Sequence, residues 1–544
     1  MSTSGEGGRL APSAGMFTRQ SSGLVRELGV VAAVGISLAA VAVVNTFINF
    51  NAGLTDFSRS DMYLPLIAGA IIWIVAMFAY RYLLDAIPRA GGEYVFLSRI
   101  VSPVVGSIAG LGIAMVFTYV LSGNAHFAAQ FFPFMFAALG DAFHSQGLAN
   151  IGNHLTSTGA TVLVSIGIMV LVALSSVFSA RRVAQIIFGL IVLQLLAFVV
   201  LILVLATHSH SQFVSAFNSY SGSSSAFQKV LTSAHANGVA FATSIGSAIA
   251  IIPFMVLNYN GVLYSYYVGG ELRRPGRTYL IASTLSIAVL VILWVGVWAL
   301  MRAKVGLSFM QAQANLGASF PSAYGKISSL NSAAGGLGYG LVLSHNPITD
   351  ILFGTAVPFA EIAVNLAFVM VTTRVLFAQA FDRLLPVRLA QVSERTHAPM
   401  VAIGVVIVGG AAFCVLTGYV NLGSIVAQES LFFALILLAG GVAATMLPRR
   451  RAELIPMPGL TEAQRRSRLN VVAWAGGLTT LLALFAIVEI VRYSNVYGRF
   501  SLASVLTLLI VLGAGPVVYG IVSMQRKRNN SLDLSMAMRS LPPE

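Results

Sequence analysis

Polarity along this chain comes in long blocks. Runs of about twenty apolar residues, the length a bilayer core demands of a helix, recur through nearly the whole sequence between short polar segments. The pattern predicts twelve spans, at 28–50, 62–84, 92–122, 159–179, 183–206, 239–268, 279–301, 351–380, 399–418, 424–447, 470–491 and 501–524. Backbone groups inside a bilayer must be hydrogen-bonded within the protein, and an α-helix does this within one segment. An all-α integral membrane protein is therefore expected. The first 27 residues are polar and Gly/Ser-rich without the short apolar core of a signal peptide, and read as a disordered cytoplasmic tail.

One stretch departs from uniform apolarity. Ile251 to Arg277 reads IIPFMVLNYNGVLYSYYVGGELRRPGR, a membrane span interrupted by Asn258, Tyr259, Asn260 and Gly261. Glycine lets the backbone leave helical geometry cheaply, and a broken membrane helix is tolerated where it is packed in protein or lines a cavity. Near mid-depth, such breaks form the substrate sites of secondary transporters. A packed glycine in an unbroken helix is the alternative reading.

Composition adds two constraints. The 544 residues are 57% hydrophobic and 9% charged, with a formal net charge of +14. With the N-terminus inside and spans alternating, only Arg59, Lys229, Arg302, Lys304, Lys326, Arg492 and Arg499 of the 32 basic residues fall outside. Cytoplasmic enrichment of Lys and Arg sets membrane topology, so this asymmetry accounts for the charge without a nucleic-acid partner and puts both termini in the cytoplasm. The single cysteine, Cys414, lies in an apolar run and offers neither a disulfide nor a thiolate metal site. His208 and His210 stand in a Ser-rich loop and read as solvated surface. No metal or cofactor is expected, and the absence of a full G-x-x-x-x-G-K-[ST] pattern argues against ATP coupling within the chain.

Candidate chemistry is sparse. Glu361 lies ten residues inside span eight, roughly 15 Å deep at ~1.5 Å per residue, where an ionisable group is costly and functional by default. It could accept a proton, pair with a substrate amine or bond a neighbouring helix. Glu429 in span ten is shallower. Thr372 and Thr373 could ligate Na⁺ or could cap carbonyls of their own helix. Asn45 and Asn49 fall in the outer half of span one.

Three further segments carry a resemblance. They are Pro88-Arg89-Ala90-Gly91-Gly92-Glu93-Tyr94 with Ser98-Arg99; Tyr259-Asn260-Gly261 with Gly270-Glu271 and Pro275; and Thr373-Arg374-Val375-Leu376-Phe377-Ala378 with Asp382. In order and spacing they resemble the signatures of the amino acid–polyamine–organocation (APC) superfamily of permeases. The resemblance implies a leucine-transporter-like fold of two inverted five-helix repeats, here 28–206 and 239–447, with peripheral helices eleven and twelve in 470–524. Extracellular loops would occupy 207–238 and 302–350, a cytoplasmic loop 448–469, and a polar, unstructured cytoplasmic tail 525–544. It also implies that broken spans one and six cradle the substrate. Tyr259, Asn260 and Gly261, with the neighbouring Asn258, are then the span-six positions. The usual Gly-Ser-Gly-like break of span one is absent, and Asn45 and Thr46 stand in for it. Gly91, Gly92, Tyr94, Glu271, Pro275 and Arg374 are structural members of the motifs.

The expected function is a plasma-membrane permease moving amino acids or related amines by alternating access, with H⁺ slightly favoured over Na⁺ for coupling, or by exchange. The alternatives are a polyamine or cationic-amine carrier using Glu361 and Glu429, and a sensor or channel on the same fold. An enzyme is the weakest case, because His and carboxylates do not cluster at either membrane face.

Overall fold

A computed structural model describes residues 24–241, 243–344, 346–420, 429–498, 500–529 and 533–539. Among the described residues twelve helices are long and apolar enough to cross a membrane: α1 (Val30–Asp56), α2 (Tyr63–Ala86), α3 (Pro103–Ala142), α4 (Thr158–Ser176), α5 (Ala180–Thr207), α6 (Ile245–Tyr267), α7 (Pro275–Lys304), α8 (Pro347–Phe381), α9 (Met400–Val420), α10 (Glu429–Arg450), α11 (Glu462–Arg492) and α12 (Leu502–Arg528). Among the described residues the only extended pairing is two isolated bridges, Leu28 with Leu272 and Ala90 with Val268. The tail before residue 24 and the start of span ten at 424–428 lie outside the described residues.

α8 forms the centre. From Leu352 to Ala380 almost every side chain is buried, and it packs on α3, α5 and α1. α11 lies against α10 and α2, and α12 against α3, so both are peripheral.

Three expectations need correction. The third span, placed at 92–122, is two helices: a short one at Gly92–Ile100, then α3 from Pro103. Pro103 cannot continue a helix from its N-terminal side, and the Ser102 hydroxyl accepts the Val105 N–H to start the new one. The loops at 207–238 and 302–350 are largely helical, with His210–Tyr220, Ala226–Ala236, Leu307–Ser319 and Gly335–Leu343. They share an aromatic core in which the Phe227 and Phe309 rings stack 4.4 Å apart and Phe213 packs edge-on against Phe309 and Tyr339. The tail expected to be unstructured from 525 continues α12 to Arg528 and adds a helix at Leu534–Arg539. Leu534 and Met538 of that helix are buried.

Candidate functional site

α1 and α6 are both interrupted, and the interruptions touch. α1 stays α-helical to Val41; Ala42 then turns into the left-handed region at φ 52°, followed by 3-10 geometry over Val43–Asn45 and a second half-helix at Thr46–Asp56. α6 is α-helical from Ile245 to Tyr259 and 3-10 from Asn260 to Tyr267. Gly261 makes the contact possible: a Cβ there would stand 2.6 Å from the Val41 amide nitrogen and 2.7 Å from the Ala40 Cβ. Each break is braced from outside. Trp294 Nε1 donates to the Val43 carbonyl at 3.1 Å, and Trp73 Nε1 to the Val256 carbonyl at 3.1 Å.

A cavity of about 400 Å³ opens at this junction, within the range of small-molecule sites. Asn45 and Asn49 of α1, Asn124 of α3, Asn258 and Asn260 of α6, Glu361 of α8 and Glu429 of α10 supply its polar lining. Tyr119, Phe127, Phe368 and Phe433 supply rings, and the cavity extends along α1 as far as Ala52. Among the described residues that line it, none is Lys, Arg or His.

Much of the polar capacity is used internally. Asn45 Nδ2 donates to Glu361 Oε1, Asn49 Nδ2 to Asn258 Oδ1, and Asn260 Nδ2 to the Leu257 carbonyl. Four buried atoms on lining residues lack a protein partner: Asn45 Oδ1, Asn260 Oδ1, Glu361 Oε2 and Asn124 Nδ2. That is three acceptors against one donor. An ammonium brings three donors and no acceptor, so the set is complementary to an amine.

Below the cavity the aromatic packing is continuous. Phe368 contacts Phe117 (5.0 Å between centroids), and Phe117 packs on Tyr264 (5.6 Å) and Tyr267 (5.8 Å). Tyr267 stacks on Tyr266 at 4.3 Å. Tyr80 and Tyr266 both donate to Oε1 of the fully buried Glu93.

The structural motif residues form the base under this plug. Gly91 and Gly92 take φ values of 112° and 55°, which side-chain-bearing residues rarely adopt, and the Gly91 N–H bonds the Tyr267 carbonyl at 3.0 Å. Tyr94 donates to Asp382 at 2.8 Å, and Arg99 pairs with the same carboxylate at 2.7 Å. Arg374 forks onto both oxygens of Glu271 at 2.7 and 2.9 Å. Pro275 begins α7 at a position where its missing N–H costs nothing.

The sequence candidates thus separate. Asn45, Asn258, Asn260 and Glu361 meet in the cavity. Thr46 is buried in the turn of α1, and Gly261 serves the contact between breaks. Tyr259 is not among the lining residues; its ring packs on Trp294 at 4.7 Å. Thr372 and Thr373 donate to the Phe368 and Val369 carbonyls of their own helix at 2.7 Å, and neither lines the cavity. Sequence reasoning left out Asn124 and the aromatic lining, and it read Glu429 as shallower than Glu361; both glutamates line the cavity. Polar residues in apolar spans were the available signal for Asn124 and Glu429; the rings carried none.

Residues 28–531 match the family model described as amino acid permease. The chain belongs to that family, within the APC superfamily, and is a multi-pass membrane protein. No curated protein sequence matches it.

Proposed function

We propose that this permease is a secondary active transporter that carries amino acids or related amines across the plasma membrane by alternating access, with both termini in the cytoplasm. The observation that carries the reading is the cavity between the two broken helices, with its three unpartnered acceptors and no basic side chain. The substrate amine sits against Glu361 Oε2, Asn45 Oδ1 and Asn260 Oδ1. A carboxylate, where present, faces Asn124 Nδ2 and the half-helix beginning at Thr46, whose N-terminus carries partial positive charge. The plug from Phe117 to Tyr266 and the ion pairs beneath it close one end of the pathway and separate when the bundle rocks to the alternate state.

Glu361 couples the movement to protons. Its carboxyl borders the cavity, whereas the Thr372 and Thr373 hydroxyls, the candidates for sodium, are bonded within α8.

A second reading, a carrier of amines without a carboxylate, is favoured by one fact: two carboxyls, Glu361 and Glu429, share a cavity without a cation. A thermal-shift panel of amino acids, their decarboxylated amines and polyamines, followed by uptake into proteoliposomes, separates the two. A ligand of the folded state raises the melting temperature by mass action. Stabilisation by an amino acid but not its amine supports the first reading, and stabilisation by amines alone the second. Binding without uptake would identify a sensor and overturn both.

A further inference from the structure

A second space lies away from the cavity between the broken helices. It is a groove of about 960 Å³ on the outer surface where α2, α10 and α11 meet. Phe78 and Tyr82 of α2, Met446 of α10, and Val471, Trp474 and Leu478 of α11 form its walls. An apolar groove on a membrane helix bundle is filled by something apolar. What singles this one out is how its walls end.

Each wall runs into charge at one helical step, three residues on, where side chains share a face. Tyr82 is followed by Asp85, Met446 by Arg449, and Val471 is preceded by Arg468. The α2 and α11 ends are together in space. Arg81 pairs with Asp85, and the charges of both Arg81 and Arg468 act on the Asp85 carboxylate. Two arginines thus act on one aspartate, while Arg449 stands in the last turn of α10 and Arg468 in the second turn of α11. Arg449 is exposed, and the Arg468 Nε is buried without a protein partner. The neighbouring Arg451 is occupied by Glu453, and Arg450 by the Val101 carbonyl.

We propose that this groove binds an anionic phospholipid, one acyl chain lying along α11 beside Trp474 and the phosphate held by Arg449 and Arg468. Guanidinium forks match phosphate oxygens in pairs. A surplus of positive charge at the rim selects a headgroup with no ammonium of its own. The apolar walls alone would accept any phospholipid; the rim supplies the selectivity.

The protein carries its own reporter. Of its four tryptophans, Trp73, Trp294 and Trp298 are buried, while Trp474 is 78% exposed in the groove. The full chain is placed in phosphatidylcholine nanodiscs doped with either brominated phosphatidylglycerol or brominated phosphatidylcholine of the same chains, and tryptophan quenching is followed. Quenching by the brominated phosphatidylglycerol should half-saturate at a mole fraction about thirtyfold lower, the scale of two juxtamembrane arginines acting on an anionic headgroup. The preference should vanish in Arg449→Gln/Arg468→Gln and persist in Arg449→Lys/Arg468→Lys. Gly477→Phe fills the groove with the arginines intact and should also remove it; the position is open, with no atom within 4 Å of an added Cβ. That variant decides the matter if the glutamine pair does not fold. Equal quenching by the two lipids, or a preference that survives Gly477→Phe, overturns the site. Protection of Trp474 from both lipids together with a doubled particle mass overturns it in favour of a second copy of the chain.

Discussion

Two glutamates lie equally deep in this bundle and are treated in opposite ways. Glu271 and Glu361 are 2% and 1% exposed. Glu271 gives both oxygens to the Arg374 guanidinium, in a base where the chain also ties Leu28 to Leu272. Glu361 receives a single side-chain amide from Asn45, and its second oxygen borders the cavity without a partner. A buried polar group left unsatisfied costs free energy that a closed network does not. The first arrangement is what a protein does with a charge that must hold two helices together. The second is what it does with a carboxyl that must remain available.

The comparison predicts a ranking of substitutions. Glu271→Ala leaves the Arg374 guanidinium buried without its partner and should destabilise the protein by about 3–5 kcal/mol, read as loss of folded protein on heating in detergent. Glu271→Leu/Arg374→Met should recover most of that loss, since apolar replacement of a buried pair is often neutral; no recovery would mean that the pair does more than fill space. Next comes Gly261→Leu, which drives a side chain into the Ala40–Val41 backbone. Overpacking of this kind costs about 1–3 kcal/mol, and separating the two breaks should abolish uptake even where folded protein survives. Glu361→Gln keeps an acceptor for Asn45 and should change the melting temperature least of the three. Its effect is functional: uptake should no longer respond to an imposed proton gradient, and a response of wild-type size would remove Glu361 from coupling. Tyr259→Phe should have the smallest effect, below about 1 kcal/mol, with wild-type uptake, because the Tyr259 hydroxyl has no partner and the ring faces Trp294. A severe uptake defect there would mean that the ring turns toward the cavity in another state.

The same contrast explains what the sequence disclosed. Span positions follow from the bilayer's demand for apolar length and emerged at eleven of the twelve expected places, the exception being the third, where Pro103 divides one long apolar run. Glu361, Asn45, Asn258 and Asn260 were legible because polar groups in apolar spans are conspicuous. Tyr259 was expected beside the substrate, yet here its ring packs on Trp294, because spacing along a broken helix does not fix which way a side chain points. Asn124 and Tyr119 join the site from α3, a helix whose membership in the cavity depends on packing alone. Helices at 207–238 and 302–350 were missed because their aromatics, such as Phe213, Phe227, Phe309 and Tyr339, are diluted by serine and alanine. The break in α1 was expected at Asn45 and Thr46 but starts at Ala42, a residue type that does not announce a turn.

That alanine gives α1 a mechanical property. A left-handed turn at a residue with a Cβ costs about 1–2 kcal/mol, which a straight helix through position 42 would release. The kink is held open from outside, by Gly261 pressed against its backbone and the Trp294 indole hooked on its carbonyl. α1 is in this sense a cocked spring with its catch on neighbouring helices. Glycine at position 42 would unload the spring without touching the catch, and the stiffness of this one joint could be tuned separately from the grip on cargo.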